Sequence, residues 1–365
     1  MRRATMMQTS GSAAVRNRFV SPKVIAVASL WACLLVGTPV QAEVKLPPVG
    51  ELLLDFGFSD KEQQQIRDGK IVERAIGEGS DRELGFGMAF MVKAKPEKLA
   101  ELYRKATVFK ALTQVKAHGR ISGEGSLADF TGVTLQPNPE KEAQRYVNAQ
   151  PGEELNLDAK ELAAFRALKS AGGQKGDPIK EVEQLVRQAL LARYQAYRAK
   201  GLSGIAPYER SNGAQRPAGD ELLGAAKGSV YLAKYVPTFY DILLNYPAAK
   251  SKAEAKNLEE FFYWVNIEVF DRPTFVLMHR MALQVGEAYV GVERQFYASH
   301  DYNSMQQVVA ALPTLDGTLV LYTGRVSTDQ VGGFGSSAKH PVARTLAAPY
   351  LKDMFQSVRS RSQKR

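Results

Sequence analysis

The chain has 365 residues, enough for one large core or two smaller ones, with 48 Lys and Arg against 38 Asp and Glu. Five of the basic residues (Arg2, Arg3, Arg16, Arg18 and Lys23) lie in the first 42 positions with no acid among them. The remainder is therefore only mildly basic, about +5, a balance that makes no case for nucleic-acid binding.

The one cysteine, Cys33, also lies in that leader, which excludes disulfides and Cys-based metal or redox sites from the rest of the chain. Val24 to Gly37 is an apolar run too short to span a bilayer comfortably as a permanent helix. Thr38-Pro39 breaks it, and Val40-Gln41-Ala42 supplies the small residues for cleavage before Glu43. Residues 1–42 thus read as a bacterial signal peptide, with translation starting at Met1, or at Met6 or Met7, and a mature protein in the periplasm or secreted. Leu30-Trp31-Ala32-Cys33 loosely matches a lipoprotein box, but Trp31 is bulky for it and the apolar run continues past Cys33. No later stretch is apolar enough to cross a membrane, so the mature chain is expected to be soluble.

In chain order, Glu43 to Leu54 reads as an ordered apolar arm, and Ser59-Asp-Lys-Glu62 as a capped start of a short helix ended by Asp68-Gly69. Strands are expected over Lys70–Ile76 and over Glu83–Lys93, where Phe86, Met88, Phe90 and Val92 alternate. Pro96 opens a helix with Leu99, Leu102 and Tyr103 on its apolar face. From Asp158 to Tyr246 the pattern turns helical: a start at Asp158, a longer helix from Asp177-Pro178 stopped by Gly201, a loop over Gly204–Gly219, then another helical run from Asp220. Five strands follow at Phe261–Phe270, Thr274–Leu283, Ala288–Ala298, Gln306–Leu312 and Thr318–Arg325, with Asp316-Gly317 as a turn. After Gly332–Gly335, Pro341 is expected to open a terminal helix that Pro349 kinks, and Arg359–Arg365 forms a basic tail.

This order predicts an α+β fold, an antiparallel sheet with one long helix across it and a ligand-sized gap between them. The stretch Arg294-Gln-Phe-Tyr-Ala-Ser-His-Asp-Tyr302, a hairpin, then Tyr322-Thr-Gly-Arg-Val-Ser-Thr-Asp-Gln-Val-Gly-Gly-Phe-Gly335 and a terminal helix resembles START-like (SRPBCC, helix-grip) proteins, in particular exported bacterial members. Asp60–Phe109 and Leu258–Arg361 carry the resemblance. It implies that residues 43–365 form a START-like domain with a helical insertion or lid at about 150–250. It also implies a cavity for a hydrophobic or lipid-like ligand, and it leaves ligand and reaction open, since that scaffold hosts both carriers and enzymes.

The four histidines, His118, His279, His300 and His340, lie at no metal-binding spacing, so no metal or other cofactor is expected. His300 beside Asp301 is a candidate base or head-group contact, set against a histidine that only satisfies its turn. His279 and Arg280 should face opposite sides of a strand. Arg325 could bind a carboxylate or phosphate head, or could pair with Asp329 to pin the last loop. Aromatic residues at strand spacing suggest cavity walls or plain core, with either Phe261 and Tyr263 or Phe262 and Trp264 facing the cavity. Gly333-Phe-Gly335 lacks the strand a nucleotide turn needs, and Ser336-Ser-Ala-Lys339 lacks the Lys-Thr-Gly partner of penicillin-binding enzymes. The reading is a carrier for a hydrophobic small molecule or lipid, with Tyr263, Trp264, Tyr297, His300 and Arg325 as ligand contacts and with peripheral membrane contact allowed. The rivals are a cyclase-like or hydrolytic enzyme using His300 and Asp301, and an envelope interaction protein.

Overall fold

The computed structural model describes residues 46–362 apart from 107, 108, 110, 111, 171–176, 250, 251, 253, 254, 256, 270, 271 and 334. The expected leader, Phe270 and the last three residues of the basic tail lie outside the described residues. Local chemistry sets most helix ends. Helix α1 (Val49–Asp55) follows Pro47-Pro48 where an arm was expected. In α2 (Asp60–Arg67) the Ser59 hydroxyl accepts from the Glu62 amide while the Glu62 carboxylate accepts from the Ser59 amide at 2.8 Å. Helices α3 (Pro96–Arg104), α4 (Pro139–Val147) and α6 (Pro178–Lys200) each place a proline in the first turn, where its missing N–H costs nothing. Asp158 and Glu161 exchange two 2.9 Å bonds at the head of α5 (Ala159–Ser170). Gly201 ends α6 at φ 60°, and a Cβ there would lie 1.8 Å from the Tyr246 carbonyl oxygen, so both conformation and space require glycine.

Helices α7 (Ala218–Lys227), α8 (Val230–Tyr235) and α9 (Pro237–Asn245) complete the middle of the chain. The expected loop before them contains a two-stranded hairpin, β4 (Tyr208–Glu209) with β5 (Gln215–Arg216). The terminal helix α10 spans Ser336–Ser362. It begins five residues before the expected Pro341 and runs on through both prolines.

The remaining strands form one antiparallel eight-stranded sheet: β1 (Val72–Arg74), β2 (Glu83–Val92), β3 (Val115–Ile121), β6 (Glu259–Val269), β7 (Arg272–Val285), β8 (Ala288–Ala298), β9 (Ser304–Thr314) and β10 (Gly317–Ser327). Their order across the sheet is β1-β2-β10-β9-β8-β7-β6-β3. The five late strands match expectation to within a few residues at each end. Strand β3 was not anticipated, because as an edge strand of sequence Val-Lys-Ala-His-Gly-Arg-Ile it carries little apolar alternation. A register shift between Leu277 and Met278 in the β7–β8 pairing bulges the sheet.

The fold is α+β, with helices on both faces of the sheet. On one face α10 and α3 cover β2, β9 and β10, and Phe355 lies 5.0 Å from Phe90 and 4.8 Å from Tyr322. On the other, Tyr194 and Tyr197 of α6 meet Phe262 and Phe296, α9 seats Phe239 and Ile242 on Met281 and Val292, and α1 seats Leu52 and Leu53 on Leu319 and Leu321. Each such aliphatic or aromatic side chain contributes about 1.5–3 kcal/mol when taken fully from water. Among the described residues no helix is long and apolar enough to cross a membrane.

Candidate functional site

A large cavity lined by described residues, about 520 Å³, lies on the sheet face opposite α10. The sequence placed the gap between the sheet and the terminal helix. A smaller cavity of about 160 Å³ lies there, and the large one arises because both faces are covered. Its floor is short and aliphatic: Val308, Ala310 and Leu312 of β9 and Leu321 of β10, with Gly87 of β2 alongside. Its roof is α1 and α8. Phe56 stacks on Tyr231 at 3.7 Å, the Tyr231 hydroxyl donates to the Asp55 carbonyl at 3.0 Å, and Lys234 and Tyr235 both hydrogen-bond the Asp55 carboxylate. The Lys234 ammonium, then the Tyr235 hydroxyl, hold that carboxyl below its ordinary range.

Four charged residues reach the wall: Asp55, Arg74, Glu78 and Arg325. Arg325 is buried, ion-paired with buried Glu83, and donates to the Gly228 carbonyl at 2.9 Å just past the C-terminus of α7. Its guanidinium lies over Gly228, where a Cβ would stand 2.7 Å from Cζ. Arg74 pairs with Glu62 at 3.3 Å and lies over the Phe58 ring. Glu78 accepts from Arg344 at 2.9 Å and meets His340 Nδ1 at 2.6 Å, tying α10 to the segment between β1 and β2. Burial opposes a charge on His340, but the Asp81 carbonyl and the Glu78 carboxylate outweigh it and raise its pKa.

Of the five residues singled out as ligand contacts, only Arg325 borders this cavity. Tyr263 faces α3, with its hydroxyl donating to the Arg104 carbonyl at 3.3 Å. Trp264 points the other way and donates to the Asp129 carbonyl at 2.6 Å. The alternation of Phe261 and Tyr263 against Phe262 and Trp264 holds, but neither set lines the large cavity. Tyr297 sits under Arg193, whose guanidinium carbon is 4.3 Å from the ring centre. The bulge, in which Phe296 is the extra residue of β8 between the Tyr297 and Gln295 pairings, puts Phe296 and Tyr297 in the same core cluster, an arrangement simple alternation does not give.

His300 is buried in a turn where Asp301 adopts φ 73°. Its Nε2 lies 3.2 Å from the Pro273 carbonyl and from Thr274 Oγ1, and its Nδ1 lies 2.6 Å from the Asp301 carboxylate. Nε2 is thus taken by protein oxygens, while Nδ1 is buried close to the Asp301 carboxylate without meeting hydrogen-bond geometry. His279 and Arg280 do face opposite sides. His279 stacks on Phe262 and bonds Tyr197 and Glu260, and burial drives its pKa down to about 4. Arg280 donates to Glu293 at 2.7 Å and borders the smaller cavity with Tyr103, Tyr322 and Phe355.

The expected Arg325–Asp329 pair does not form. Asp329 instead takes Arg210 at 2.9 Å, Arg216 at 2.6 Å and Arg82 at 3.4 Å. Arg210 also donates to Asn156 at 2.7 Å and Asn303 at 3.0 Å, so four distant segments meet at one buried guanidinium. Beside it, burial pushes the Glu221 carboxyl up to about 7, with the Asp329 charge adding to the rise and a hydrogen bond from Asn303 opposing it. No sequence signal marked Arg210, Asn156, Asn303 or Glu221, which are isolated polar residues in loops and at helix or strand ends.

Among the described residues no three His, Cys, Asp or Glu side chains converge as a metal site. Comparison of the chain with protein-family models, curated proteins and solved structures finds no match.

Proposed function

We propose that this chain is an exported START-like, helix-grip protein that carries a hydrophobic or amphipathic molecule. The observation that carries the reading is the 520 Å³ cavity with its aliphatic floor, within the range of small-molecule sites. Burial of a ligand chain there contributes about 0.8 kcal/mol per methylene, so binding needs no reaction. The strand order supports the helix-grip assignment: after the edge strand β1, the early strand β2 pairs with the last strand β10, the others follow in reverse sequence to β3, and α10 covers one face. On this reading the helices between β3 and β6 are the insertion. Leu54 and Val230, exposed on the two roof helices, support loading by brief contact with a lipid surface. The enzyme reading has less support, since His300 is buried, lies outside the large cavity, and has its Nε2 against the Pro273 carbonyl.

The test is expression with the leader, recovery of the mature protein and native mass spectrometry with lipid extraction. A stoichiometric lipid-like adduct is expected, and Ala310→Phe, which fills the cavity floor, should abolish it. A clean apo mass that stays unchanged after incubation with envelope lipids overturns the reading.

A further inference from the structure

We infer that the large cavity selects an uncharged amphiphile, one whose polar end is a hydroxyl, ester or amide rather than a carboxylate, phosphate or ammonium. The inference rests on the cavity being a ligand site and adds the chemistry of the head. The four charged residues on the wall are two acids and two bases, and each already meets an opposite charge: Arg325 with Glu83, Arg74 with Glu62, Glu78 with Arg344, and Asp55 with Lys234. Among the described wall residues, therefore, no charge is left over for a ligand ion. An anionic head would have to pull Arg325 away from a buried carboxylate, sit desolvated beside Glu83, or compete with Glu62 for Arg74, and none of these offers it an unpaired cation.

What the wall does offer is neutral. Thr323 lines the cavity two residues before Arg325 on β10, and its cross-strand neighbours are Gly87 on one side and Val308 on the other. Ile76 and the Arg74 backbone cover Gly87, where a Cβ would stand 3.1 Å from each, and Val308 has no group to bond a hydroxyl, so half-buried Thr323 brings to this part of the wall an uncharged group that can both donate and accept. An aliphatic floor with that group at one end fits a chain bearing an uncharged hydrogen-bonding head.

Three probes with one chain and different heads test this: dodecanol, dodecanoate and dodecyltrimethylammonium, titrated against the mature protein by displacement of a fluorescent apolar dye. Dodecanol is expected to bind tighter than either ion by about tenfold or more. Thr323→Val should weaken dodecanol by about fivefold more than it changes the affinity of the apolar dye. Glu83→Gln frees the Arg325 charge and should tighten dodecanoate by about tenfold without changing dodecanol. Because that variant leaves a buried guanidinium without its acid, the double variant Glu83→Gln/Arg325→Gln is measured with it and should show none of the dodecanoate gain. Dodecanoate or the ammonium binding the parent as tightly as dodecanol overturns the inference while leaving the carrier reading intact. Failure of all three probes and the dye to bind overturns the carrier reading itself.

Discussion

Glu221→Gln should stabilise this protein at neutral and alkaline pH and lose that advantage in acid. The Glu221 carboxyl stands in the first turn of α7, accepts from Asn303 at 3.2 Å through one oxygen, and buries the other without a partner. Burial, with the nearby Asp329 charge, raises its pKa from an ordinary 4.5 to about 7. The folded state therefore holds a proton between those two values that the unfolded state has released, and stability falls as pH rises from about 4.5 to about 7. Above that window the ionised carboxylate costs the fold about 3 kcal/mol. Glutamine removes the charge and keeps an acceptor for Asn303. The gain over the parent should be near zero at pH 4 and level off above pH 7 at about 1–3 kcal/mol, the lower end allowing for imperfect amide geometry. Urea denaturation of both proteins at half-unit steps of pH measures it, with the slope of the transition checked for constancy. A difference between the two proteins that does not change with pH would refute the reasoning, as would a variant less stable than the parent at pH 8.

His279 titrates with the opposite sign. Burial lowers its pKa to about 4 from an ordinary 6.5, so its contribution is complete above 6.5 and is lost, by about 3 kcal/mol, as pH falls to 4. In His279→Gln the urea midpoint should lose this acid dependence, and a parent-like acid limb in the variant would contradict the assignment. Arg210→Met leaves Asp329 and two asparagines short of a buried donor, so a loss of about 3–5 kcal/mol in urea unfolding is expected. Adding Asp329→Asn should return part of that loss, and strict additivity of the two changes would mean the groups are not coupled. Gly201→Ala forces a Cβ against the Tyr246 carbonyl at a positive φ and should cost at least about 2 kcal/mol, read as a lowered Tm. A neutral result would show that the end of α6 relaxes freely.

The sequence alone determined the features that depend on residues a few positions apart. The Ser59–Glu62 cap, the Asp177-Pro178 start and Gly201 stop of α6, the Asp316-Gly317 turn and the alternation that separates His279 from Arg280 all follow from neighbours on the same turn or strand. Those rules are local because a backbone amide or a side-chain direction is settled within one turn or one pleat. The tertiary structure decided which apolar face stayed open. Trp264, Tyr263 and Tyr297 have the composition of cavity walls, yet helices from a different part of the chain fill the space above them. The large cavity opened over Val308, Ala310 and Leu321, which are small and otherwise unremarked. Pairing of charge was decided the same way. Arg325 lies only four residues from Asp329, but the sheet register sets it beside Glu83 of the neighbouring strand, and the β4–β5 hairpin brings Arg210 and Arg216 to Asp329 instead. A buried ion takes the partner that the packing of distant segments sets beside it, and sequence separation carries no information about that distance.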